Sequence, residues 1–359
     1  MRTVCIPGAR RKRSSHPDSE LTVKTTVKAV AKSPRYLAAA FLFAFLSGTG
    51  SLAQLAQPLV AARDLEVVRV RPNVYMIAGA GANITVHIGS EGILLVDTGS
   101  AEASDKVLAA IGKLTDQRIR YIFNTSGDAD HMGGNARLAR AGLTLLPTSG
   151  TGGAEGTRDA ASNNGGAAVL AHDNVMSRLI AAPESSWPSE TFTGTGRSLY
   201  LNNDGVQMIH LLAAHSDADS IVAFRRADVI ATGAIVDLQR FPVIDTKTGG
   251  TIRGELAALN RLMDMAIPAV PLAWLEGRTL LIPAYGRVFD QADLVEYRDM
   301  VTIVRDRINS MMKEGMALDQ IKKGNPTVGY RKRYGADSGP WTTDMFVEAI
   351  YNGLTAKPK

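Results

Sequence analysis

Along the chain the apolar positions change period several times, and each change marks an element. Val74–Ile77, Ile84–Ile88 and Ile93–Val96 are short runs rich in β-branched residues, separated by Gly-rich turns, a pattern that predicts a strand meander. From Ala103 to Leu114 the spacing of Val107, Leu108, Ile111 and Leu114 predicts a helix. Arg120–Asn124 reads as a strand that runs directly into the polar stretch Thr125 to Asn135. Residues 149–166 are rich in Gly, Ala, Ser and Thr without a period, which predicts a loop. Further on, Val206–Leu212, Ile221–Phe224, Val229–Ala231 and Thr279–Ile282 read as strands, and Leu256–Met265 and Leu294–Met312 as helices. Strands alternating with helices in two successive blocks predict a layered α/β sandwich in one domain.

Charge separates the start of the chain from the rest. Residues 1–53 carry nine Lys/Arg against Asp18 and Glu20, a net of +7, so the whole-chain +5 leaves −2 for residues 54–359. The domain therefore has no excess positive charge for phosphates, and nucleic acid is not an expected partner. The basic stretch ends at Arg35 and an apolar run follows from Leu37 to Leu46. Ser51-Leu52-Ala53 then offers a cleavage site before Gln54, the pattern of a secretory leader. The apolar run is shorter than the roughly 20 residues a membrane span needs. An exported protein, periplasmic or secreted and without a stable span after leader removal, is the expectation. The single cysteine, Cys5, falls in the leader, so the mature chain has neither disulfides nor a thiolate metal site.

The polar stretch at 125–135 carries the chemistry. If the strand continues, Ser126, Asp128 and Asp130 project to one side as the chain leaves the sheet, and His131 turns in from a helix start. Such a cluster converges on a cation, or else caps a helix with Asp130 as the cap.

Ser126-Gly127-Asp128-Ala129-Asp130-His131, followed by Met132-Gly133-Gly134-Asn135, resembles the H-x-H-x-D-H signature of the metallo-β-lactamase superfamily. Leu95-Val96-Asp97-Thr98-Gly99 is similar to its earlier strand-turn segment, and His215 stands at its third histidine. Gly233-Ala234 matches its later G-D segment and Pro283-Ala284-Tyr285-Gly286 its final P-G-H-G turn. The resemblance implies an α/β fold of the αβ/βα four-layer sandwich type over residues 54–290, with the helices of 291–359 packed on the same domain. It also exposes four departures from the family's ligands, at Ser126, Asp128, Ala234 and Tyr285. With the bridging carboxylate replaced by Ala234, a pair of ions is not expected. Asp128, Asp130, His131 and His215 remain as ligands for one divalent ion (Zn, Mn or Fe), or for none, with Tyr285 as a weak further donor.

The resemblance implies metal-assisted hydrolysis of an ester, thioester, amide or lactam in a small-molecule substrate, with Asp130 orienting or deprotonating water. A non-catalytic binding protein is the alternative. Ser126, His215 and Asp128 also have the residue types of a nucleophile–base–orienter set, which requires Ser126 and Asp128 on different nitrogens of His215. Asp97 is expected to support the motif loop. His87, His172 and His210 are expected to be structural, the last in a strand and His172 as a cap partner. Trp187, Trp341 and the Met311, Met312, Met316 group read as packing. Oligomeric state is left open.

Overall fold

The computed structural model describes residues 65–143, 166–179, 182–269 and 277–355. The predicted leader, Cys5, residues 54–64 and all but the last residue of the predicted loop at 149–166 lie outside the described residues. Among the described residues no helix is long and apolar enough to cross a membrane.

Two sheets form the centre. The first runs β1 (Glu66–Arg71), β2 (Val74–Ala78), β3 (Ile84–Gly89), β4 (Gly92–Val96), β5 (Ile119–Phe123), β6 (Ala168–His172) and β7 (Glu190–Phe192), in spatial order. Its first four strands pair antiparallel, and β4 through β7 pair parallel. The second sheet has the order β12-β11-β10-β9-β8, from β8 (Gly196–Leu201), β9 (Asp204–His210), β10 (Ser220–Phe224), β11 (Val229–Asp237) and β12 (Leu280–Tyr285). Only the β11–β12 pair in it is parallel.

Strand alternation builds the layers. Every residue of β4 is buried. Leu94 and Val96 face the second sheet, where they meet Met208, Val222, Phe224 and Ile282. Ile93 and Leu95 face the other way, against Val107 and Ile111 of α1 (Ser104–Leu114) and Leu138 of α3 (Asn135–Ala141), which follows the short α2 (Ala129–Met132). The second sheet repeats the arrangement. Ile221 and Ile230 pack outward on Leu259 of α4 (Ile252–Met265) and on Val301 and Val304 of α5 (Gln291–Lys313). The result is the helix–sheet–sheet–helix order expected from the motif.

The C-terminal helices α6 (Leu318–Lys323), α7 (Arg331–Tyr334) and α8 (Thr343–Thr355) share that outer core, with Phe346 stacked on Phe241 at 4.7 Å between ring centroids. Met311, Met312, Met316 and Trp341 pack partly buried against it. Helix starts follow local chemistry. Thr251 caps α4 by accepting from the Gly254 N–H at 2.9 Å, and Asp290 with Asp293 forms a capping box on α5.

One core position is anomalous. Glu255 on α4 is fully buried and neither carboxyl oxygen has a hydrogen-bond partner. Burial, with Asp219 adding to it, pushes its carboxyl well above the usual range, so it is held as the neutral acid. A buried polar group without a partner costs about 1–3 kcal/mol. Glu255→Met is therefore expected to raise the unfolding free energy by about that amount, while Glu255→Gln, which keeps two polar atoms, does not. Urea unfolding of both variants near neutral pH checks this, and a Met variant less stable than the Gln variant would assign Glu255 a satisfied structural role.

Candidate functional site

The site is assembled at the ends of β4, β5 and β12 around one buried carboxylate. Asp97 follows β4 and takes a left-handed backbone (φ 62°), unusual for a residue with a side chain. Its carboxylate accepts the Thr125 N–H at 2.8 Å, the Thr125 hydroxyl at 2.5 Å and the His131 Nδ1–H at 2.9 Å. Its own N–H donates to Phe123 O at 2.8 Å, and the Thr98 N–H to His131 O at 2.7 Å. Gly233 in β11 makes room for this knot: its φ is +54°, and a Cβ there would lie 2.6 Å from Thr125 Oγ1. Asp97 thus holds the motif loop, as expected.

The strand stops at Phe123, earlier than the alternation argument required. Residues 124–128 are irregular, and Asp130 lies inside α2, so its position comes from a helical turn. Asp128, not Asp130, occupies the N-cap position, without a side-chain cap bond.

The expected residues come together in pairs. His215 Nε2 meets Asp128 Oδ2 at 2.9 Å, and His215 Nδ1 meets Val243 O at 2.8 Å. Both partners only accept, so both ring nitrogens carry protons and the ring is an imidazolium. Burial opposes the charge, but the Asp128 hydrogen bond and the Asp219 and Asp128 charges lift the His215 pKa to about 9. Burial likewise opposes the Asp128 charge, yet His215 holds that carboxyl well below the usual range. His131 is similar: burial lowers it, while the charge and hydrogen bond of Asp97 raise it to about 9. The Tyr285 hydroxyl donates to Asp130 Oδ2, and the Tyr285 ring sits edge-on to His131 at 6.4 Å between centroids. Ser126 is fully buried and its hydroxyl accepts the Asp128 N–H at 3.3 Å. With one His215 nitrogen on Asp128 and the other on Val243 O, no nitrogen is left to activate Ser126, and the serine set does not form.

The same geometry tests the metal reading. Among the described residues, no three His, Cys, Asp or Glu side chains are grouped to hold an ion. Asp128 and His215 face each other, while Asp130 is held by Tyr285 and His131 by Asp97. Of the four expected ligands only Asp128 and His215 meet directly, and as arranged no three of them fit one metal ion.

Other residues surround the pairs. The Asp219 carboxylate, fully buried, accepts the Ser216 N–H at 2.5 Å and the Ser216 hydroxyl at 2.9 Å, shaping the loop after His215. Burial raises it to about 6 against the pull of His215. Arg178 donates to Asp217 Oδ1 at 2.6 Å and lies over Gly127, where a Cβ would be 2.8 Å from its Cδ. Arg240 pairs with Asp237 and stacks 4.8 Å above the Tyr285 ring centroid. None of these was singled out from the sequence, although Ser216 and Asp219 have the three-residue spacing of a side-chain cap. His87 is a fully buried strand residue that accepts from Asn73 Nδ2 at 3.0 Å. His172 caps the turn after β6 by accepting the Asn174 N–H, and its ring stacks on His210 at 3.6 Å. The Trp187 indole donates to Ala182 O at 3.0 Å.

An open cavity of about 590 Å³ adjoins Tyr285, bounded by the β1–β2 hairpin, the Gly79–Gly81 turn and the end of β12. Asn83 fixes that end by donating to Pro283 O and Gly286 O at 2.9 and 3.0 Å.

Comparison with known proteins agrees with this fold. Residues 76–236 match the family model of the metallo-beta-lactamase superfamily. Among solved structures, a stereoselective inverting sec-alkylsulfatase from Pseudomonas sp. is 15% identical, with a TM-score of 0.58 over 81% of this chain and 50% of that one. A double mutant of a sec-alkyl sulfatase gives 16% identity and a TM-score of 0.60 over the same shares. The chain thus spans about half the length of these two structures, and the likeness is one of fold. A metallo-beta-lactamase from Pontibacter korlensis is 16% identical, with a TM-score of 0.48 over 66% of this chain and 99% of that one. A search of the curated proteins finds no match.

The pKa shifts predict an acid-side stability optimum. His131 and His215, raised from 6.5 to about 9, contribute stability that is complete below 6.5 and lost as pH rises through about 9. Asp219, raised from 3.8 to about 6, resists ionisation only in the folded state, so it lowers stability as pH rises over that interval. Asp128 works the other way, its contribution lost as pH falls below 3.8. The urea midpoint is expected to peak between about pH 4 and pH 6 and to fall toward pH 9. A midpoint climbing over the alkaline range would show that the imidazoliums are not formed.

Proposed function

We propose, from the premise that residues 76–236 belong to the metallo-β-lactamase superfamily, that this chain is an exported, divergent hydrolase-like protein working by acid–base chemistry. Its substrate is a small ester, thioester, amide or lactam. The observation that carries the reading is Tyr285, in the wall of the 590 Å³ cavity on the last strand, donating to Asp130 on the motif helix. A divalent ion typically supplies the charge and the activated water in this superfamily. Here, among the described residues, no three such donors are grouped, and the reaction runs on the chain's own groups.

The chain's own groups suffice for a balanced reaction. Tyr285 occupies Oδ2 of Asp130 and orients the carboxylate, leaving Oδ1 to take a proton from water as its oxygen bonds to the substrate carbonyl. The negative charge that develops on the carbonyl oxygen is favoured by the cationic His131, whose ring lies edge-on to Tyr285. The proton on Asp130 then passes to the leaving alcohol, thiol or amine as its bond to carbon breaks. Water and substrate are consumed; an acid and the leaving group are released.

The test is turnover and metal content together, on residues 54–359 purified from medium with zinc, manganese and iron. Hydrolysis of some member of a panel of esters, lactones, thioesters, lactams and alkyl sulfates is expected without a stoichiometric metal. Asp130→Asn should lower kcat by about a hundredfold to ten-thousandfold, and Tyr285→Phe by about tenfold or more. One equivalent of metal, lost on His215→Ala, would overturn the metal-free mechanism. No turnover with small molecules still bound would leave a binding protein. The fourfold variant Ser126→His, Asp128→His, Ala234→Asp, Tyr285→His is expected to gain zinc and lose the native turnover. Export is checked by the N-terminus of the mature protein, expected at Gln54; an intact leader on cytoplasmic protein would contradict it.

A further inference from the structure

The cavity beside Tyr285 is unequal in its charges. Its floor is apolar: Val68 and Met76 point inward from β1 and β2, and Val288 closes the far side. Gly79 and Gly81 contribute no side chain, which keeps the mouth open. Glu66 stands opposite Ala78 in the β1–β2 register, two residues before Val68, and therefore projects to the same face, into the cavity.

Each cation around the cavity is already held. Arg287 lines it but clamps Asp293 with two bonds of 2.9 and 2.6 Å. Arg240 stacks on Tyr285 while paired to Asp237. His131 is matched by Asp97, and His215 by Asp128. Glu66, by contrast, lines the cavity with no ion-pair or hydrogen-bond partner through its side chain among the described residues. The Glu66 carboxylate is therefore uncompensated, whereas the Arg287 cation is matched by Asp293. The resulting potential repels an anion and attracts a cation at the mouth, while the floor receives an apolar body.

We infer that this cavity selects an amphiphile whose polar end is cationic or uncharged and discriminates against anions, with Glu66 as the specificity-determining residue. This assigns the substrate class of the site and so rests on the location, though not the chemistry, of the proposed function. It sets the protein apart from the sulfatases that share its fold, which act on sulfate esters.

Binding of non-hydrolysable probes separates the inference from any question of turnover. Octyltrimethylammonium, octanol and octanoate, each below its micellar concentration, are titrated calorimetrically into the protein. The expected order of affinity is cation, then neutral, then anion. Glu66 is exposed, so Glu66→Gln should weaken the cation by about threefold to fivefold, and less at high salt. Glu66→Lys should bring octanoate level with the cation or ahead of it. Octanoate binding the native protein as tightly as octyltrimethylammonium, or an order unmoved by Glu66→Lys, would overturn the proposal. A native protein that turns nothing over yet keeps this order loses the hydrolase reading alone.

Discussion

Asp97 is the constraint on which the site depends. It is almost fully buried, and a buried carboxylate is tolerated only where donors surround it. Three donors do so, two from Thr125 and one from His131, and they belong to the loop that leaves β5 and to the helix that follows. Satisfying one carboxylate therefore fixes the distance between two strand ends and the orientation of the motif histidine. The left-handed backbone at Asp97 costs about 1–3 kcal/mol on its own. It is maintained because the same residue answers for three other groups. Gly233 completes the arrangement from the second sheet by leaving space where any side chain would strike Thr125.

The layered fold was legible because its signal is redundant. In β4 both faces are apolar, and the helix α1 repeats at helical spacing, so each element announced itself independently. Elements were missed where that redundancy fails. β6 is a five-residue buried strand beside a Gly-rich segment, with no alternation to read. β8 is an edge strand whose residues are mostly exposed, so polarity hid it. The site was legible as a set of positions and not as a set of contacts. The motif order grouped Asp128, Asp130, His131 and His215 with Tyr285, but spacing cannot reveal that Asp128 bonds His215 and Tyr285 bonds Asp130. Nor could it show that a backbone carbonyl, Val243 O, takes the last nitrogen of His215.

On the proposed reading, the residues at the four departures from the motif exchange metal charge for protons. A histidine ligand must be neutral to bind a cation, whereas an imidazolium is itself the cation. Asp128, standing where the family has histidine, favours the protonated state of His215 by direct contact. Asp97 does the same for His131. Two positive charges thus remain at the site, each delocalised over a ring and matched by a carboxylate. On the proposed reading, activation of water therefore falls to the carboxylate of Asp130.

Such an exchange leaves the fold intact for an energetic reason. Each fully buried aliphatic side chain of β4 contributes about 1.5–3 kcal/mol through burial, and these side chains face both cores. The Asp128–His215 pair is part-exposed on its carboxylate side and belongs with interactions worth about 1 kcal/mol or less once solvent screening is included. The polar pairs sit on loops and strand ends, outside the layers that bury apolar surface. Ligand positions can therefore change type while the layers keep their register, provided that Asp97 keeps its donors. The scaffold conserves the place of the chemistry; which charges occupy it is settled by a few side chains that the core does not need.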